Sequence, residues 1–308
     1  MSTNGAAARD STFLEARSDS YYGRPVVKPH VWKAYIPLYF WIGGTAGAAA
    51  VECVCARMRG AERLASVEKR AALAGALAAP VLLIADLGRP ARFANMLRVF
   101  KITSPMSVGS WILASFGTMI GASTAAELLG WTRLSRTLEF GAAAFGPALS
   151  TYTAVLVADT ATPVWHEAHE VLPFVFAASG IAGAGAIGVA FAPPEEAASA
   201  RRLMIGGSLG LVIGGQVMEH RLGTLLAEPY KKGEGATLKR FSALLSVCAV
   251  GLGVFGRGSV RASRFAAACA VTAGVLERFA VLAAGKQSAR DPKYTVEPQR
   301  ARVDAGPG

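Results

Sequence analysis

Residues 86–111 concentrate groups that a link between two apolar segments does not need. Asp86 closes one apolar run, Gly88-Arg89-Pro90 breaks it, and Ser104-Pro105-Met106-Ser107 leads into the next. Between them Phe93, Met96, Leu97 and Phe100 recur at i, i+3, i+4 and i+7, with Arg92, Arg98 and Lys101 off that face. That spacing predicts an amphipathic helix lying in a membrane interface. It suits headgroup anchoring, and it also suits a floor for a lipid-soluble ligand with a basic dock for a partner. Asp86 lies beside Arg89 and Arg92, which fits a capped helix end and equally an acid that handles protons.

A second concentration follows at 150–173. Tyr152 sits within an apolar segment, and Asp159, Trp165, His166, His169 and Glu170 gather around the next turn. Histidine beside carboxylate is suited to taking up or releasing protons near neutral pH. His166 and His169 have an i, i+3 spacing, but no further ligand set accompanies them, so no metal site is expected. Ionisable groups at membrane depth are costly and are candidates by default. Glu52, Glu219, Glu277 and Arg278 belong to that class, and the adjacent Glu277 and Arg278 each need a partner on another helix.

The redox inventory is short. Cys53, Cys55, Cys248 and Cys269 contain no C-x-x-C and read as small packing residues. The four histidines, His30, His166, His169 and His220, all fall outside the middle of an apolar segment, whereas a haem in a bundle needs axial histidines there. Neither haem nor an iron–sulfur cluster is therefore expected on this chain. If it is redox-active, it meets a quinone at one surface while another protein holds the metal centres.

These residues have to be positioned by helices in a bilayer. Of 308 residues, 52% are hydrophobic and 17% charged, with 34 glycines. This is the composition of a multi-pass helical membrane protein. Eight apolar segments approach the ~20 residues needed to span: roughly 35–56, 68–87, 105–129, 138–160, 169–192, 201–219, 239–257 and 262–284. Pro80 interrupts the second, and Gly206, Gly207, Gly210, Gly214 and Gly215 interrupt the sixth. Gly43–Gly47 and Gly206–Gly210 have the four-residue spacing of close helix contacts. Residues 1–34 form a polar lead-in without a signal peptide, and 286–308 read as a flexible tail. The net charge of +11 sits between apolar segments, so orientation and lipid headgroups account for it rather than nucleic acid. Lys and Arg number 17 on the side of the termini and the 86–104 loop against 12 on the other, leaving aside Lys239 and Arg240. That bias places both termini in the cytoplasm and the chain in the cytoplasmic membrane.

The sequence resembles the NrfD/polysulfide reductase membrane-subunit family. The resemblance rests on Tyr21-Tyr22-Gly23-Arg24-Pro25 with Lys28-Pro29 and Trp32, and on Pro37-x-Tyr39-Phe40 followed by Gly43-Gly44. It continues through Asp86-Leu-Gly-Arg-Pro-x-Arg-Phe-x-Asn95-Met-Leu, Ser104 to Trp111, Tyr152 before Pro163-x-Trp165, and Leu172-Pro173-Phe174. It implies an all-α integral membrane protein of about eight transmembrane helices in two four-helix bundles, here 35–160 and 161–285. It further implies a quinone site in the first bundle, for menaquinone or another quinone, near the surface where a ferredoxin-like iron–sulfur subunit docks and serves a molybdopterin oxidoreductase subunit. Carried onto this chain, the pocket involves His30, Trp32, Tyr35, Arg89, Asn95 and Tyr152, with Asp86, Asp159 and His169 handling protons. Two rival readings are a proton-translocating or solute-transport module and a purely structural anchor.

Overall fold

The computed structural model describes residues 26–28, 30–87 and 91–304. They form helices α1 (Tyr35–Met58), α2 (Glu62–Leu87), α3 (Ala91–Met96), α4 (Pro105–Leu128), α5 (Thr132–Ala158) and α6 (Pro163–Glu167). These are followed by α7 (Leu172–Phe191), α8 (Ala198–Leu226), α9 (Glu228–Lys231), α10 (Glu234–Phe255), α11 (Val260–Arg290) and α12 (Lys293–Asp304). Eight of them have 20 residues or more. Six (α1, α2, α5, α7, α10 and α11) are long and apolar enough to cross a membrane. The other two long helices fall short in composition. Ser and Thr at 107, 110, 115, 118, 123 and 124 dilute α4, and α8 carries Arg201, Arg202, Glu219, His220 and Arg221. The six clear spans establish a multi-pass membrane protein.

The long helices pack as two groups of four, α1, α2, α4 and α5 in one and α7, α8, α10 and α11 in the other, with α1 and α5 meeting α7 between them. Consecutive long helices alternate in direction. The starts of α1, α4, α7 and α10 therefore share one end of the molecule with the finishes of α2, α5, α8 and α11. Local signals set the boundaries. Ser104 caps α4, its Oγ accepting from the Ser107 N–H at 3.4 Å ahead of Pro105 at the first helical position. Ser259 caps α11 in the same way, accepting from the Ala262 N–H at 3.3 Å.

Three expectations change. The amphipathic helix stops at Met96, because Ser107 captures the following turn: its Oγ accepts from the Lys101 N–H at 3.0 Å and donates to the Val99 carbonyl at 2.9 Å. Phe100 therefore leaves the helix face and meets Trp111 edge-on, with centroids 6.2 Å apart. The glycines at 206–215 do not interrupt α8, whose one non-helical residue is Gly223, at φ 69°. Beyond 286 the chain is helical rather than extended: α11 runs to Arg290 and α12 to Asp304, with Tyr294 buried. Glu228 anchors α12, accepting from Lys293 Nζ at 2.7 Å and from the Tyr294 hydroxyl at 3.3 Å. The hydrogen bonds from Lys293 and Lys232 pull the Glu228 carboxyl down to about 2.

Candidate functional site

A cavity of about 90 Å3 opens among α1, α2, α4 and α5 at the end where α1 begins. Trp32, Ile36, Tyr39 and Phe40 line one side, Leu83, Asp86 and Leu87 a second, Met96, Met106 and Ser110 a third, and Tyr152 and Leu156 the last. The wall is mostly aliphatic, aromatic and thioether, with polarity confined to a few points.

Each polar point has a distinct state. The Tyr152 hydroxyl is buried without a hydrogen-bond partner. Its ring lies flat against Gly109, where a β-carbon would overlap ring carbons Cε2 and Cδ2; the glycine in α4 is what lets the tyrosine of α5 fit. Asp86, at the last turn of α2, accepts the Lys33 backbone N–H on Oδ1 at 3.2 Å, tying the lead-in segment to the cavity rim. Ser110 spends its hydroxyl on the Met106 carbonyl at 2.8 Å.

The lead-in segment is held from the second bundle as well. Trp32 stacks on Trp165 with centroids 5.5 Å apart and an interplanar angle of 16°. Trp165 Nε1 donates to the Val281 carbonyl at 2.7 Å, and Lys286 Nζ donates to the Trp32 carbonyl at 2.7 Å, both from α11. His30 packs 4.7 Å from the Trp32 ring and 5.5 Å from that of Trp165, its Nδ1 lying 3.4 Å from Thr162 Oγ1. Burial there lowers its pKa from the ordinary 6.5, since the charged imidazolium would lose hydration.

Of the expected site residues, Trp32, Asp86 and Tyr152 come together on the cavity, and His30 stands behind Trp32. Tyr35 is exposed and its neighbour Ile36 faces the cavity instead. Asn95 is exposed at the end of α3. Arg89 lies outside the described residues, as does the side chain of Arg92, and the acid expected to pair with them binds the Lys33 amide. The cluster at 165–170 divides. Trp165 turns inward, while Asp159 and His166 line a separate surface depression against Tyr294 and Pro298. His169 is exposed, its Nδ1 2.9 Å from the His166 carbonyl, and Glu170 pairs with Arg221. Sequence reasoning had Met96 on the face offered as a ligand floor and Met106 and Ser110 only within the 86–111 segment as a whole, and it did not single out Ile36, Leu83 or Leu156.

A family model described as polysulphide reductase, NrfD, matches residues 26–195, more than half of the chain. This chain belongs to the NrfD family. The matched span runs from the lead-in segment through α7, so the whole cavity falls within it, while α8, α10 and α11 lie beyond. No curated protein matches the sequence. NrfD proteins are membrane subunits that generally work within redox complexes.

Proposed function

We propose that this NrfD protein is the quinone-reactive membrane anchor of a multi-subunit oxidoreductase. It exchanges electrons with a ferredoxin-like iron–sulfur subunit that serves a molybdopterin catalytic subunit. The observation that carries the reading is the Tyr152 hydroxyl, a buried donor without a partner on the wall of a largely apolar cavity that also holds Asp86. Such a donor suits the carbonyl oxygen of a quinone, and the apolar walls suit its ring.

A quinone couple carries two electrons and two protons between its substrate forms. The chain supplies position and proton handling. Tyr152 donates to one carbonyl oxygen and fixes the ring plane. Trp32, Tyr39 and Phe40 exclude water on the α1 side. Asp86, at the rim with one oxygen held by the Lys33 amide, passes protons between the ring oxygen and the aqueous face. Asp159 and His169 lie on that same face outside the cavity, where they exchange protons with solvent. The iron–sulfur subunit docks over this end, which brings its nearest cluster towards the cavity.

The test is gentle purification with co-eluting subunits, followed by metal and quinone analysis and electron transfer assays. The complex should contain iron and molybdenum or tungsten in the partners, no haem on this chain, and extractable menaquinone or another quinone. Tyr152→Phe should raise the apparent KM for quinone about 3- to 10-fold, the worth of one hydrogen bond. Asp86→Asn should lower kcat about 100-fold, as for loss of a positioned acid–base group. A complex with neither quinone nor quinone-dependent electron transfer rules the proposal out.

A further inference from the structure

A second polar cavity lies in the other bundle, outside the span matched by the family. It has a volume of about 300 Å3 between α8, α9, α10 and α11 and opens at the same end of the molecule as the first. Its mouth carries Glu219 and Lys239, which pair with each other, and Lys239 Nζ also donates to the Gly215 carbonyl at 3.0 Å. Deeper in stand Tyr230, Ser246 and Glu277, each buried and each with a side-chain oxygen that lacks a hydrogen-bond partner. Three unpartnered oxygens thus gather around this one cavity. Buried polar atoms are normally satisfied, and a roomy polar cavity satisfies them with water.

Glu277 is the unusual member. It lies 13 residues before the end of α11, about 20 Å along the helix. Its neighbour Arg278 turns the other way, donating to the Phe176 carbonyl at 2.8 Å and stacking on that ring at 3.6 Å. The charged and titratable groups around Glu277 are Glu219 from α8, Tyr230 from α9, Lys239 from α10 and, on its own helix, the averted Arg278, while the Ser242 hydroxyl of α10 is within hydrogen-bonding reach of its carboxyl. Among the described residues none of these cations is within ion-pair distance of it; Lys239 is committed to Glu219. A carboxylate without a counter-ion at that depth is expensive, so the acid binds a proton unless water or a cation reaches it.

We propose that the second bundle holds a hydrated vestibule in which Glu277 is a proton-loading site, exchanging with the aqueous face through the Glu219–Lys239 pair. Tyr230 and Ser246 carry the water that links the acid to that pair. The inference does not depend on quinone chemistry.

The full chain in lipid nanodiscs, followed by infrared difference spectroscopy through pH steps, tests it. A protonated-carboxyl stretch should grow as pH falls, shift in D2O, and vanish in Glu277→Gln. Glu68→Gln, which removes another fully buried acid with unpartnered oxygens, should leave that band in place. Tyr230→Phe with Ser246→Ala keeps the acid, so the band should persist with an altered pH midpoint. Should Glu277→Gln fail to insert, dicyclohexylcarbodiimide, which attacks protonated carboxyls, should label wild-type Glu277 increasingly as pH falls, by peptide mapping. A pH-dependent band that survives Glu277→Gln overturns the proposal. So does one lost in Glu68→Gln, or one blind to D2O, as a cavity filled by a lipid would give. Carbodiimide labelling that is absent or independent of pH does the same.

Discussion

The Tyr152 hydroxyl is costly where it stands: a buried donor left unmatched loses roughly 1–3 kcal/mol relative to a satisfied one. The fold tolerates that because the ring packs on Gly109 and the phenol faces a cavity. His30 is poised in the opposite sense. Its neutral ring is packed against Trp32 and Trp165, and its folded pKa lies below 6.5. The unfolded state therefore binds the proton more readily. The packing contributes fully above pH 6.5 and is lost as pH falls through the lowered folded value. Tryptophan emission from the Trp32–Trp165 stack should change on acidification below pH 6.5, and His30→Gln should remove that step. An unchanged acid transition in His30→Gln would assign it to another group. Asp86 and Tyr152 were legible in the sequence because an acid at the end of an apolar run and a phenol within one are conspicuous, and Trp32 came through the family resemblance. Ile36, Leu83 and Met106 were not, since an apolar residue on a cavity wall looks the same as one facing lipid.

At the level of elements, the glycine pattern announced close packing but not which glycines make it. Around Gly43–Gly47 the contacts belong to Gly44 and Gly47. A β-carbon on Gly44 would lie 3.8 Å from the Ser150 carbonyl, one on Gly47 would run into the Gly146 backbone, and Gly43 faces open space. In α8, Gly207 meets the α7 backbone at Ala178 and Ala182, while Gly206 meets nothing. Spacing fixes a stripe, and helix rotation, set by packing with neighbours, decides which residue of the stripe is central. Gly109 carried no such signal, yet it is the contact that places Tyr152. Gly109→Ala should lower thermal stability by about 1–3 kcal/mol through overpacking. In a Tyr152→Ala background, where the ring is gone, that extra cost should disappear. Equal costs in both backgrounds would show that the β-carbon strains something other than the tyrosine. The same rule explains α12: its polar sequence reads as a tail, and only the Glu228 anchor, 65 residues away, makes it a packed helix.

The whole molecule has two unlike ends. At the far end Glu139 binds Arg57 at 2.8 Å and Lys69 at 2.9 Å, Lys69 also holds Glu127 at 2.5 Å and Ser135 at 2.9 Å, and the ends of α1, α2 and α5 are locked together. At the near end both cavities open and the lead-in segment, α3, α6, α9 and α12 gather. Among the described residues, both cavities that the proposals use open at the near end. The helix ends also settle which side two ambiguous cations occupy: Lys239 and Arg240 fall in the first turns of α10 and so at the near end, which strengthens the positive bias there. The positive-inside rule predicts that this end faces the cytoplasm. Residues 26 and 304 should then both be cytoplasmic. A fluorescent protein fused after α12 should fluoresce, and alkaline phosphatase fused there should be inactive. The same phosphatase placed in the α4–α5 turn at Gly130, at the far end, should be active. Active phosphatase after α12 would invert the chain in the bilayer and move the proposed iron–sulfur dock, with both cavity mouths, outside the cytoplasm.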